Sequence, residues 1–406
     1  MVNHLVDVSF DHYHYVECDC GSLLRKESNK FFCSKCTKSP NVNELANYVS
    51  FNVKEQLKMI SKQFPELFGN HFRDELTLKL FIVCDEVPIS ASSKVELLPV
   101  FLYIQNITQV NLRNKCYMIA AIALLNKKEK ELKYNTHLLL QTFLNEFHKI
   151  NINGIETHWS KSTKLEIAAF IGDNPCRSKF LIVQQHNGTY PCHRCYIKKP
   201  AKEHLPVCRF NEFQPKSRAL AIQHASSVEQ RRKTNGRIEH ELGFKGRTLL
   251  AEFGEFDHIS GSVVKIMHCL FLGVVKNSLK VFVKEGMSEA TKSLINKRIA
   301  MLKPPSNSKR SIRPLTEFSH YKSAEFKMIF FYYGYFLFKN IMLKSRFNLL
   351  MFLLSATFKL WTRKENLTNI EKNKVELDYF INVFKEMVIN SVETGKEWTP
   401  RRLVND

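Results

Sequence analysis

The chain has 406 residues, 44% of them apolar and 31 of them Phe, which excludes a disordered polypeptide and allows two or three folded domains. Its formal charge of +21 points to a polyanionic partner, with nucleic acid first. Its eleven Cys are an odd number and include two CxxC pairs, which excludes a fully paired disulfide frame and favours reduced thiols and metal binding.

Residues 1–40 read as a small cysteine module. Cys18 and Cys20 form a CxC knuckle, and Cys33 and Cys36 form a CxxC knuckle twelve residues further on. Together they can make one four-sulfur Zn²⁺ site, and metal would supply the stability that some forty residues cannot find in a core of their own. His12 and His14 are spare ligands. The first twenty residues carry Asp7 and Asp11 and no apolar core of signal-peptide length. Residues 41–75 read as a helical linker, with a polar helical segment over 42–68.

A sheet follows. Residues 76–84 alternate and then turn apolar, which predicts a strand ending at Asp85-Glu86-Val87-Pro88. Strands are also predicted over 97–105 and 116–125. A helix over 136–150 carries Leu138, Leu139, Phe143, Leu144 and Phe147 at helical spacing. A fourth strand over 165–172 ends at Gly172-Asp173-Asn174-Pro175, and a helix opens near Asn174 with Pro175 in its first turn. Asp173 therefore reads either as the N-cap of that helix or as an acid placed where open sheets carry their chemistry. Three strands, a helix, a strand and a helix is the order of the ribonuclease H-like fold. In that fold the first and fourth strands are neighbours, so Asp85 and Asp173 are expected to approach each other. Two such carboxylates invite a hard divalent cation.

Cys192-His193-Arg194-Cys195 has the spacing of half a zinc site, and His268 with Cys269, Cys208 or His258 could complete it. Residues 201–312 read as an insertion that begins polar and basic and regains apolar periodicity over 262–302. A Pro/Ser/Lys linker over 304–310 leads to C-terminal helices over 313–406. The apolar runs Phe326–Phe338 and Phe347–Phe358 are shorter than a membrane span and read as buried core helices. Basic residues near the second acid, Arg177, Lys179, Arg194, Lys198 and Lys199, with Arg231, Arg232 and Lys233 beyond them, are candidates for phosphate contact. Trp159 reads as core.

Five segments together resemble the catalytic region of CACTA-type (En/Spm-like) DNA transposases. They are Phe81-Ile82-Val83-Cys84-Asp85 with Leu98-Pro99-Val100; Gly172-Asp173-Asn174-Pro175-Cys176-Arg177; Gly188-Thr189-Tyr190-Pro191-Cys192-His193-Arg194-Cys195; Met267-His268-Cys269-Leu270-Phe271-Leu272-Gly273-Val274; and Tyr321-Lys322-Ser323-Ala324-Glu325-Phe326. The resemblance covers about residues 76–360. It implies an α/β chain: a ribonuclease H-like mixed sheet with a helical insertion, a helical C-terminal part and the N-terminal zinc module. It also implies metal-dependent DNA strand cleavage and transfer, with Asp85, Asp173 and Glu325 holding Mg²⁺ or Mn²⁺, and His268 joining Cys192 and Cys195 on Zn²⁺. The expected partners are DNA and a second copy of the chain, with no membrane and no small-molecule substrate; the expected compartment is the nucleus. Glu86 stands after the first acid where the family has Gly, and Lys265 stands two positions before Met267-His268. These departures frame the alternative, a catalytically inactive, domesticated transposase-derived DNA- or chromatin-binding zinc protein. A further alternative is an unrelated zinc-containing adaptor in which the acids are structural.

Overall fold

The computed structural model describes residues 13–17, 23–27, 30–33, 48–69, 71–88, 95–108, 112, 116–126, 136–199, 214–235, 240–285, 287–304 and 310–362. They fall into two compact units, one of the described residues up to Val264 and one of those from Lys265 onward.

The first unit is built on a mixed sheet. Its strands are β1 (Tyr13–Glu17), β2 (Leu23–Glu27), β3 (Lys30–Cys33), β4 (Tyr48–Ser50), β5 (Arg73–Cys84), β6 (Val87–Pro88), β7 (Val95–Ile104), β8 (Tyr117–Asn126), β9 (Ser160–Gly172) and β10 (Ser262–Val264). Helices α1 (Val53–Gln63), α2 (Thr136–Asn153), α3 (Asn174–Phe180) and α4 (Arg218–Asn235) complete it. The strands run in the order β10-β9-β5-β7-β8-β4-β1-β2-β3, with β6 beside β7. β9 is parallel to both β5 and β10, whereas β5, β7 and β8 form an antiparallel meander. This is the neighbour relation expected of the first and fourth strands, and the topology is compatible with a ribonuclease H-like sheet.

The sequence explains these elements. Along β5, Leu76, Leu78, Leu80, Ile82 and Cys84 are buried in strict alternation, the period of a strand with one face on a core. α1 is capped by Asn52, whose Oδ1 accepts from Glu55 N–H at 3.0 Å. Glu146 of α2 accepts from the N–H groups of Val53 and Lys54 at 2.9 and 3.3 Å, so an anion sits at the positive end of α1. Gln56 exchanges two hydrogen bonds with the backbone of Ile119 in β8, each 2.9 Å long. Trp159 is buried, as expected of a core residue, and its Nε1–H donates to Phe64 O at 2.8 Å.

Two elements differ from the sequence expectation. The segment 42–68 is not helical throughout, because Tyr48–Ser50 pairs with β8 as β4. The outer strand β10 is three residues long and sits against β9. It is preceded by Gly261, whose carbonyl accepts from Phe170 N–H at 3.0 Å. A Cβ at Gly261 would lie 2.3 Å from Phe256 Cε2 and 2.7 Å from Asp257 O. Gly261→Ala is therefore expected to cost about 1–3 kcal/mol by overpacking, read as a lower urea midpoint with an unchanged m-value.

The second unit is helical: α5 (Lys276–Glu285), α6 (Glu289–Ala300), α7 (Ser323–Met328), α8 (Gly334–Phe338) and α9 (Lys344–Thr362), with π-helical turns over Met267–Val275 and Ile329–Tyr333. Leu270, Phe271, Val275, Leu279, Ile295, Phe326, Phe330, Leu337 and Phe338 fill its core. Among the described residues no helix is long and apolar enough to cross a membrane. The run Phe326–Phe338 is core on one side only, since Tyr332, Tyr335 and Phe336 are exposed.

Candidate active site

The acids at the ends of β5 and β9 are brought into line by an irregularity between them. Leu80 pairs with Ile167, but Phe81 pairs with Ala169, so Ala168 is an extra residue in β9. Beyond that bulge the parallel register runs through Ile82 with Phe170 and Val83 with Ile171. Carried forward two residues, it sets Asp85 opposite Asp173; without Ala168, Asp85 would face Gly172. Asp85 and Asp173 are the first residues after β5 and β9, neighbouring strands about 4.8 Å apart. Alternation turns both away from the face that buries Leu80, Ile82, Cys84 and Phe170, towards the side of the half-buried Phe81 and Val83.

Pro99 explains why β5 breaks at Asp85. The antiparallel register joins Cys84 to Val100, and Val87 of β6 to Leu97 in the same phase. β6 is thus the continuation of β5 after an interruption at Asp85-Glu86, and Asp85 falls opposite Pro99, which has no N–H to give to the ladder.

Asp173 caps α3. Its Oδ1 accepts from Cys176 N–H at 2.8 Å, and Pro175 opens the helix. Oδ2 has no hydrogen-bond partner among the described residues. Glu86 forms an ion pair with Lys179 of α3, so the residue after the first acid is tied to the helix that the second acid caps. Both acids are half-buried. Hard oxygen donors that solvent can reach are the kind that fit a divalent cation. Among the described residues, however, no group of three or more His, Cys, Asp or Glu side chains is arranged to hold one.

Glu325 lies in the second unit, in the first turn of α7. It is 1% exposed. Its Oε1 accepts from Arg313 Nε and N at 2.8 and 3.3 Å, and its Oε2 from Arg313 Nη2 and Lys322 N at 2.6 and 2.7 Å. Burial raises its pKa, but these donors outweigh it and hold the carboxyl below the usual glutamate range.

The CxxC turn is a built feature of the first unit. Cys192 and Cys195 share a thiol hydrogen bond that holds the Cys192 thiol well below its ordinary pKa and raises that of Cys195. Lys216 is buried, with Nζ donating to Cys192 O at 2.8 Å and lying over the rings of Phe244 and Tyr196 at 4.7 and 5.5 Å. Burial lowers its pKa to about 8, opposed by attraction to the two sulfurs. This buried cation against two thiols was not legible in the sequence; its only trace is a Lys after Pro215. His193 Nε2–H donates to Ser262 O at 3.1 Å, which orients the turn on β10. Burial, and after it the charge of Arg177, depress the His193 pKa to about 3, so the ring is neutral.

His268 is at the start of the π-helical turn of the second unit, and its Nδ1 is buried without a hydrogen-bond partner among the described residues. Cys18, Cys20, Cys36 and Cys208 lie outside the described residues. Cys33 ends β3, and its backbone pairs with Leu24, one residue into β2. Cys33 thus lies at the end of the β1-β2-β3 meander where β1 finishes and β2 begins.

The basic candidates divide. Arg177 is 3% exposed and turned towards Asn174 and His193, and Lys179 is paired with Glu86. Arg194 is exposed but donates to Ser260 O and Ser262 O at 2.7 and 3.2 Å. Lys198 is exposed and Lys199 half-buried. Arg231 pairs with Glu241 at 2.8 Å, and Arg232 donates to Lys245 O, whereas Lys233 is exposed.

Compared with models of known families and with curated proteins, the chain has no match.

Proposed function

We propose that this chain is the catalytic region of a DDE-type DNA transposase, acting on DNA by metal-dependent strand cleavage and transfer in the nucleus. The single observation that carries the reading is the parallel register of β5 and β9, whose last pair, Val83 with Ile171, lies two residues before each acid. Mg²⁺ or Mn²⁺ is the group these two acids suit, with Asp173 Oδ2 as an open donor. When bound, such cations supply an activated water and offset negative charge at the scissile phosphate. The chain's own part is to hold the two carboxylates in register through the Ala168 bulge. The Glu86–Lys179 pair fixes α3 beside them. Lys198 and Lys233 are exposed cations of the same unit suited to phosphates. Zn²⁺ is the ion proposed for Cys18, Cys20, Cys33 and Cys36, and Cys192 with Cys195 would supply two further thiolate ligands. A second copy of the chain is a further partner.

The test is nicking of supercoiled plasmid in Mn²⁺. Wild type is expected to nick, with loss of activity in chelator and in Asp85→Asn. Equal nicking by wild type and Asp85→Asn would remove the acidic site from the reaction.

One observation favours a second reading, a transposase-derived DNA- or chromatin-binding zinc protein without catalysis. The carboxylate of Glu325, which the resemblance makes the third acid, is filled by Arg313 and backbone donors. That reading predicts DNA binding by a chain that nicks nothing in any divalent metal.

A further inference from the structure

Tyr332, Tyr335 and Phe336 are 50%, 51% and 44% exposed, although each is a large ring in a helix whose other residues fill the core of the second unit. Their spacing puts them on one face of the continuous run α7, π-turn and α8, with Lys339 one turn beyond. Three exposed rings on one helix face are not a core remnant, since their neighbours Phe330, Leu337 and Phe338 are fully buried.

Cations frame the rings. Lys339 Nζ lies 4.7 Å from the ring centre of Tyr335, and the Arg298 guanidinium 5.6 Å from that of Phe336. Arg298 is fixed there by hydrogen bonds to the carbonyls of Phe336, Leu337 and Lys339 at 2.7, 3.1 and 3.1 Å. From Phe326 to Thr362 the chain has five Lys or Arg and no Asp or Glu. A docking surface for an ordinary protein would gain nothing from removing every acid over such a length. A polyanion whose other part is a flat π-system needs both features: rings for stacking, cations for phosphates, and no carboxylate to repel them.

We propose that the Tyr332–Lys339 face binds single-stranded DNA, with bases stacked on Tyr332, Tyr335 and Phe336 and the backbone met by Lys339 and Arg298. Duplex DNA buries its base faces and cannot use the rings, so the face discriminates single from double strands. The proposal does not depend on the acids Asp85 and Asp173.

The experiment is fluorescence anisotropy of the full chain with labelled oligothymidylate and with a duplex of equal length, each titrated with salt. Tyr335→Ala combined with Phe336→Ala is expected to weaken oligothymidylate binding about tenfold or more, with duplex binding and the salt slope unchanged. Tyr335→Phe keeps the ring and is expected to bind as wild type. Lys339→Gln is expected to lower the single-strand salt slope by about 0.7. Asp173→Asn is expected to bind as wild type, so that failure of cleavage and failure of this face are read separately. The proposal is overturned if the double variant binds oligothymidylate as wild type does, or loses single strand and duplex alike. It is equally overturned if the double variant's loss appears instead as a change of mass in light scattering, or as release from phosphatidylserine vesicles.

Discussion

Asp173→Asn is expected to abolish the proposed metal-dependent nicking and to leave the melting temperature of the chain where it was; Asp173→Ala is expected to abolish nicking and to lower stability by about 1 kcal/mol. The two outcomes are expected to separate because the cap uses one oxygen of Asp173 and the proposed metal contact the other. Oδ1 caps α3 through Cys176 N–H. An Asn side chain keeps an oxygen for that bond and ranks with Asp as a cap, so the fold does not register the change. What Asn cannot supply is the negative charge that a hard cation needs from its ligands. Thermal melts and plasmid nicking on the same preparations check both halves. Asp173→Ser is the control for the cap: it also retains a capping oxygen, and it too should be stable and inactive. If Asp173→Asn cleaves as wild type does, the residue is a cap and nothing more. The inactive reading would then gain the site, while the strand register remained an explanation of the fold alone.

The sheet was largely legible because its strands are long and apolar and its turns are punctuated by Gly and Pro. The run ending at Asp85 and the run ending at Gly172-Asp173 both became strands, and α3 opened at Asn174 as Pro175 demanded. Capping and hydrophobic period are local, so one sequence carries them. β10 was hidden because three residues give no period, and its place depends on Phe170 donating to Gly261 across ninety residues of chain. The Ala168 bulge was hidden for another reason: Ala168 sits in an unbroken apolar run and has no mark of its own. A bulge exists only relative to a partner strand, here β5, and that partnership is non-local. The basic candidates failed to separate in the sequence because charge alone does not tell an Arg spent on a carbonyl, as Arg194 is, from a Lys facing solvent, as Lys198 is. Glu325 shows the same limit: its engagement comes from Arg313, twelve residues away and beyond Pro314.

Glu325→Ala is expected to destabilise the second unit, whereas a metal ligand on an open site could be removed with little loss of stability. An ionised carboxylate has about four acceptor positions. All four are used, two by the Arg313 side chain, one by Arg313 N–H and one by Lys322 N–H. Removing the side chain leaves donors at a buried position unmatched and strips the first turn of α7 of its acid, a loss of about 1–3 kcal/mol. The pH dependence has a definite sign. The Glu325 carboxyl is held below the usual glutamate value in the folded chain. Its contribution is therefore fully present above the unfolded value of about 4.3 and is lost as pH falls through the lower folded value. Melts between pH 6 and pH 3 should show the second unit weakening at the acid end, and Glu325→Gln should flatten that slope. Arg313→Met should be non-additive with Glu325→Ala in a double-mutant cycle, since each deletes the same interaction. The opposite result is equally concrete: Glu325→Gln that melts like wild type at every pH but no longer binds Mn²⁺ would mean that Arg313 releases this carboxylate, and the third acid of the transposase reading would stand.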